Sequence, residues 1–355
     1  MRTLGHRPAY RGDMPNVDTR PDDDAWVPMP EALAWQRDVV LAAGSPVAAQ
    51  ILQAVLDDAA QGGGLAGDLT MTVRFGSFPG LRVMAAVHRL ALERQAARVA
   101  MCLPTLGGTA PVTPRDRAQF RSDVVSALSA DLQVLRASLA HTPQTNDPGR
   151  AALLRCALSR LDPAMPVRLR EIGASAGLNL RADALPGRTD LEAGPLPMIV
   201  DRLGCDLSPV DPATSEGRTL LSSYVWVDDV ERFRRLGEAL RVAERIPAPV
   251  VEMDAVDFCS RIASEEGVVK VLWHSAMWAY LPESTRAGIR REVKRIGSTA
   301  TATAPFVHVA WEWDTDLPGP VPFGLVVTRW DGSDSDGQPR LLATGGSHGN
   351  DIRLM

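Results

Sequence analysis

The sequence lacks any run approaching the roughly eighteen apolar residues that cross a bilayer. Its opening stretch, Met1 to Asp24, has no apolar core of the secretion-signal kind and reads as a flexible tail without chemistry. Cysteine is sparse: Cys102, Cys156, Cys205 and Cys259 form no close pair, so neither a zinc knuckle nor a redox Cys-x-x-Cys is spelled out. They read as reduced thiols of a cytoplasmic protein. Lys and Arg are not in surplus. Their 38 residues against 43 Asp and Glu leave a net charge of −5, which speaks against a nucleic-acid backbone as the main partner. No internal repeat and no metal-ligand cluster appears, and the oligomeric state is not written in the pattern.

What is present is an ordinary globular composition, 45% hydrophobic and 23% charged, in 355 residues. That length exceeds the size at which one core usually stops growing, so two domains or one elaborated domain is expected. From residue 25 to about 161 the pattern is helical and predicts an all-α N-terminal domain. Phe120, Val124, Leu128, Leu132, Leu135 and Leu139 recur at steps of three and four and lay one apolar stripe along a single helix. After Pro166 the period changes, and residues 162–355 read as an α/β domain: strands at 167–172, 249–253, 268–273 and 306–313, helices at 228–242 and 283–296, then a hairpin of 324–330 and 340–344. A mostly parallel sheet closed by a C-terminal antiparallel hairpin resembles the Rossmann-like arrangement of methyltransferase folds, which is the fold expected for this half.

The strongest local signal is Arg168-Leu-Arg-Glu-Ile-Gly-Ala-Ser-Ala-Gly-Leu-Asn-Leu180, a strand that enters a small-residue turn and then a helix. A cofactor that approaches backbone needs residues without bulk there, and a helix N-terminus would add unpaired N–H groups. Glu171, Gly173, Ala174, Ser175 and Gly177 are therefore cofactor candidates. The same letters satisfy Gly-x-Ser-x-Gly, in which Ser175 is a nucleophile, His348 its base and Asp314 or Glu312 the orienting acid. No oxyanion-loop signature precedes it. A turn that binds nothing is the third reading.

Further along, Gly204-Cys-Asp206 and Val250 to Phe258 resemble the segments that end the second and third strands of many methyltransferases; the resemblance implies that Asp206 accepts from ribose hydroxyls, with Asp183 as the alternative holder, and that Asp254 and Ala255 face an adenine ring. Val268 to Pro282 resembles the fourth strand of that family and its following loop, which implies that His274, Trp278 and Tyr280 are candidates for a substrate wall; His274 also has the pKa class of a general base. The bland alternative makes them core. Glu312 ends a strand and should face a pocket, since open α/β sheets bind ligands at the carboxyl ends of their strands. Gln144-Thr-Asn-Asp-Pro-Gly-Arg150 offers more polar groups than a helix cap requires, so Asn146 and Arg150 are candidates for binding an acceptor or a cofactor carboxylate, provided the helical half closes over the strand ends.

The Glu-x-Gly-x-x-x-Gly spacing resembles the first motif of S-adenosylmethionine-dependent methyltransferases. The resemblance implies that Glu171 faces the cofactor's ammonium end and that the glycines line its methionine and ribose portions. Taken together, Ala85-Ala-Val-His-Arg-Leu90, the 143–150 string, Glu171 to Leu180, Gly204-Cys-Asp206, Leu272 to Trp278 and Ser347-His-Gly349 resemble the bacterial domain of unknown function 2332 family over nearly the whole chain. That resemblance implies the two-part architecture and supplies no activity. The function expected is methyl transfer from S-adenosylmethionine to a small molecule; the alternatives are a serine hydrolase and a non-catalytic ligand-binding protein.

Overall fold

Strand β3 (Val167–Ile172) alternates Val167, Leu169 and Glu171 on one face with Arg168, Arg170 and Ile172 on the other, and an eight-stranded sheet is built around it. The computed structural model describes residues 24–313, 323–333 and 336–355. The expected tail, apart from Asp24, and Asp314 lie outside them. Two compact units are formed: one from the described residues up to Pro143 together with Ser223–Val230, the other from Gln144–Ser222 and Glu231–Met355.

In the first unit, helices α1 (Met29–Ala42), α2 (Pro46–Ala60), α3 (Pro79–Leu92), α4 (Ala97–Ala100), α5 (Pro114–Ala130) and α6 (Leu132–Ala140) surround a core that includes Leu33, Ile51, Leu52, Val87, Phe120 and Leu135. It is not all-α, because β1 (Trp26–Pro28) and β2 (Thr72–Arg74) pair in an antiparallel ribbon. The single predicted helix carrying the 120–139 stripe is two. Asp131 leaves helical geometry at φ −141° and caps α6 by accepting from Gln133 N–H, while the apolar face carries on across the break. Ser223–Val230 completes this unit because its groups satisfy helix ends there. Asp228 accepts from the N–H groups of Val47 and Ala48, and the Val227 carbonyl accepts from Thr105 N–H.

The second unit begins eighteen residues before the expected boundary at 161/162, because α7 (Ala151–Leu158) packs against the 3₁₀ segment Asn179–Ala184 and the sheet. The 144–150 turn is thereby part of the sheet unit and not of the helical half. The remaining strands are β4 (Ile199–Asp206), β5 (Val250–Glu252), β6 (Val269–Ser275), β7 (Phe306–Trp313), β8 (Phe323–Trp330), β9 (Pro339–Gly345) and β10 (Arg353–Leu354). Their spatial order is β10-β9-β8-β7-β6-β3-β4-β5. Pairs from β5 to β7 are parallel and those from β7 to β10 antiparallel, so the predicted hairpin is a three-strand meander leading away from β7.

Helices α8 (Ser215–Ser223), α9 (Val230–Ala243), α10 (Ala255–Ser260) and α11 (Glu283–Gly297) join the strands. On α11, Ile289, Val293 and Ile296 follow the helical period and pack with Ile172, Leu272 and Phe306 of the sheet. Strand order reverses between β3 and β6. Ligands of open α/β sheets bind outside the carboxyl ends at such a switch point.

Candidate functional site

The carboxyl end of β3 leads into Gly173–Gly177, where Gly173 (φ +65°), Ser175 (φ +52°) and Gly177 (φ +64°) alternate with two alanines. Such alternation turns backbone N–H groups inward into an anion-holding concavity. The anion held is the protein's own: Asp206 Oδ2 accepts from Ser175 N–H at 2.9 Å, and its Oδ1 accepts from Ser208 N–H at 2.9 Å. Ala174 N–H donates to the Cys205 carbonyl, and Leu178 N–H donates to Asn146 Oδ1 at 2.9 Å. The turn amides that the sequence offered to a cofactor are thus largely engaged by protein groups. The expected helix beyond Gly177 is a kinked 3₁₀ segment, Asn179–Ala184, so no α-helix N-terminus stands there.

The glycines themselves are required by packing. A Cβ on Gly173 would lie 2.9 Å from Met277 Sδ, and one on Gly177 would lie 2.9 Å from Val250 Cγ2. Ala174 is fully buried, its Cβ set against Gly204. Three side chains of this segment carry buried polar atoms that lack a partner among the described residues: Glu171 Oε2, Ser175 Oγ and both amide atoms of Asn179. Burial pushes the Glu171 carboxyl well above its ordinary range, against the opposing pull of the Arg150 charge.

Asp206 ends β4, and Asp254 follows β5, where it caps α10 by accepting from Val256 N–H at 2.7 Å; Ala255 is buried in the first turn behind it. Asp183 forms an ion pair with Arg202.

On β6 and its loop, His274 is 2% exposed and both ring nitrogens are engaged. Nδ1 lies 2.7 Å from Glu312 Oε1, and Nε2 lies 3.0 Å from His308 Nε2. Glu312 also accepts from the N–H groups of Met277 and Trp278, so this carboxylate organises the loop. Burial, together with the charge of His274, lowers His308 to about 3. Trp278 stacks on His274 at 5.0 Å and has the Arg290 guanidinium over its ring at 5.5 Å, so the ring is largely covered by protein groups. Tyr280 closes the same loop, its N–H donating to the Met277 carbonyl.

The 144–150 turn carries a second cluster. Asp147 is 2% exposed; its Oδ2 lies 2.9 Å from Arg232 Nε and 2.9 Å from His348 Nδ1. Burial alone would raise Asp147, but the charge of Arg232, then His348 and Arg150, outweighs it and holds the carboxyl well below its ordinary range. Desolvation and Arg232 together push His348 down to about 4. Arg150 donates from Nε to the Ser347 carbonyl at 3.0 Å and from Nη1 to the Ser275 carbonyl at 3.4 Å.

Asn146 therefore meets the glycine turn directly, while Arg150 meets the last residue of β6 and the C-terminal loop. Sequence reasoning named neither Asp147 nor Arg232 nor His308 as functional. Asp147 lay inside a string that had been singled out, whereas Arg232 looked like any polar residue of an amphipathic helix and His308 like a mid-strand residue.

Five parallel strands with an order reversal, polar residues at their carboxyl ends and an antiparallel extension define a mixed α/β protein with a separate, mainly helical unit. A family model described as an uncharacterized protein conserved in bacteria (DUF2332) matches residues 31–195 and 183–353, and the chain belongs to that family. No curated protein matches it. Among the described residues no helix is long and apolar enough to cross a membrane, and no group of His, Cys, Asp and Glu is arranged to hold a metal ion.

Proposed function

We propose that this protein is an S-adenosylmethionine-dependent methyltransferase acting on a small molecule. The observation that carries the reading is the succession of Glu171, Asp206 and Asp254 at or just past the carboxyl ends of β3, β4 and β5, neighbouring parallel strands beside the order reversal. The donor set suits the cofactor. Each Asp206 oxygen accepts one backbone N–H and keeps a lone pair for a ribose hydroxyl, and Glu171, Ser175 and Asn179 bring buried polar atoms with no protein partner. Bound there, S-adenosylmethionine would supply an electrophilic methyl group. Met277 fills the space beside Gly173, and its unbranched thioether can re-pack around a ligand.

In this reading His274 is a positioning residue. Glu312 and His308 occupy its nitrogens, and its ring braces Trp278 in the loop after β6. The protein's task is alignment of donor and acceptor, with a base needed only where the acceptor must lose a proton.

The test is isothermal calorimetry of the purified chain with S-adenosylhomocysteine. Saturable binding is expected, and no heat at millimolar ligand would remove the cofactor. One observation favours a serine hydrolase instead: the positive φ of Ser175 is the strained conformation of a nucleophile elbow. Against it, His348 is engaged by Asp147, and Ser175 Oγ has no hydrogen-bond partner among the described residues. Labelling of Ser175 by a fluorophosphonate would transfer the assignment to that chemistry.

A further inference from the structure

We propose that Arg150 is the anchor of a carboxylate-bearing ligand at the carboxyl ends of β3 and β6. The assignment deepens the methyl-transfer reading by naming a substrate class, and it rests on that reading only for whether the carboxylate belongs to acceptor or cofactor.

Arg150 is 5% exposed, and among the described residues its side chain has no ion-pair partner. Its hydrogen bonds go to two main-chain carbonyls, those of Ser347 and Ser275. A buried guanidinium without a counter-charge is costly, and carbonyl dipoles compensate it only in part.

The neighbouring acids are committed elsewhere. Asp147 feels Arg150, but its oxygens are taken by Arg232, His348 and the Gly149 N–H. Glu312 attracts Arg150 from a distance while its oxygens hydrogen-bond His274 and two loop amides. Arg232 pairs with Asp147, so Arg150 is left with the attraction of Asp147 and Glu312 but with no carboxylate hydrogen-bonded to its guanidinium among the described residues. Glu171 feels the Arg150 charge, which works against the upward push of burial on its carboxyl, but no hydrogen bond joins the two side chains among the described residues.

The guanidinium has five N–H donors, of which the two carbonyls take two, leaving three. The same two carbonyls fix the plane of the group, one from the end of β6 and one from the C-terminal loop. A planar fork held in a fixed orientation matches a carboxylate, which can accept two parallel N–H bonds. Asn146, on the same turn, ties this arginine's segment to the glycine turn through Leu178 N–H, so a ligand held by Arg150 would lie beside the proposed cofactor residues.

The experiment compares wild type, Arg150→Met and Arg150→Lys, each checked for native circular dichroism. Thermal unfolding is followed in acetate, benzoate and succinate against chloride at equal ionic strength, and calorimetry uses S-adenosylhomocysteine and 5′-methylthioadenosine, which lacks the amino-acid end. Carboxylates are expected to raise the wild-type midpoint in a dose-dependent way. Arg150→Met should abolish the response, and Arg150→Lys, which keeps the charge but not the fork, should weaken it at least tenfold in half-saturating concentration. A drop in homocysteine-nucleoside affinity in Arg150→Met with methylthioadenosine unchanged would place the carboxylate on the cofactor. Loss of the carboxylate response with both nucleosides unaffected would place it on the acceptor. Carboxylate binding through Arg150 without binding of either nucleoside would uphold this proposal and remove the methyl-transfer reading. The proposal is overturned if neither carboxylates nor S-adenosylhomocysteine act on the wild type, or if the variants respond as the wild type does.

Discussion

Asp147 Oδ2 and His348 Nδ1 lie 2.9 Å apart, joining the turn that opens the sheet unit to the loop that follows β9. The same oxygen is 2.9 Å from Arg232 Nε, and all three residues sit where two separately singled-out sequence strings converge. Gly149 and Gly349 lie at that junction backbone to backbone: a Cβ on Gly349 would be 2.8 Å from the Gly149 carbonyl oxygen.

Breaking this knot should be expensive. Asp147→Asn leaves the Arg232 guanidinium, 2% exposed, without its counter-charge, and loss of one partner of a buried ion pair typically costs about 3–5 kcal/mol. Urea denaturation should show a loss of that order. Removing the stranded charge as well, in Asp147→Asn with Arg232→Met, should recover part of it, because the amide oxygen can still accept from Gly149 N–H. An unshifted midpoint in Asp147→Asn would mean that Arg232 finds another acceptor.

A second expectation concerns acid. His88 is fully buried; its Nδ1 lies 3.1 Å from the Val225 carbonyl and must carry the proton, so Nε2 accepts from Thr105 Oγ1, also at 3.1 Å. Burial lowers its pKa from 6.5 to about 4. Because the folded value lies below the unfolded one, the helical unit keeps its full stability above pH 6.5 and loses it progressively as pH falls toward 4. The gap between these two values corresponds to about 3 kcal/mol. His348 and His308, lowered to about 4 and about 3, act in the same direction in the sheet unit. Denaturation midpoints measured from pH 7.5 to 4 should slope accordingly, and His88→Gln, less stable at neutral pH, should flatten the slope of the helical unit. A wild-type midpoint that is flat across this window would contradict the buried neutral imidazole.

The legible parts of the fold were those where local pattern and tertiary environment agree. Strands β3 and β7 are legible at their true limits, because Phe306–Trp313 is largely apolar and Val167–Ile172, though half charged, runs from Pro166 into the glycine turn that ends it. Strand β4 showed only its end at Gly204–Asp206, since Asp201 and Arg202 look like loop residues until their partners Arg170 and Asp183 are seen. The break at Asp131 hid behind an apolar period that survives it. Candidate residues could be placed on strand ends from topology rules. Their hydrogen bonds could not, because what Asp206, Asn146 and Glu312 accept is decided by turns folded from distant segments.

The last prediction concerns Glu312, whose carboxylate fixes the loop that follows β6. Oε1 accepts from Met277 N–H at 3.2 Å and pairs with His274 Nδ1 at 2.7 Å, while Oε2 accepts from Trp278 N–H at 3.2 Å. Just before them, Ala276 holds φ +49°, a conformation that an alanine keeps only when its surroundings impose it. The loop matters to the glycine turn because Met277 packs into the space beside Gly173. Glu312→Gln keeps the size of the side chain but turns one acceptor oxygen into a donor, so at least one of the three donors loses its partner. Hydrogen bonds to charged groups contribute about 1.5–3 kcal/mol, so exchange of the Met277 and Trp278 amides should speed up roughly ten- to hundredfold. Hydrogen–deuterium exchange resolved at these two residues measures this without any ligand. His274→Ala should produce a smaller change, since it removes the Trp278 stacking partner but leaves both amide bonds to Glu312 in place. If exchange at Met277 and Trp278 is the same in Glu312→Gln as in the wild type, the loop is held by packing against His274 and Arg290, and the carboxylate has no organising role.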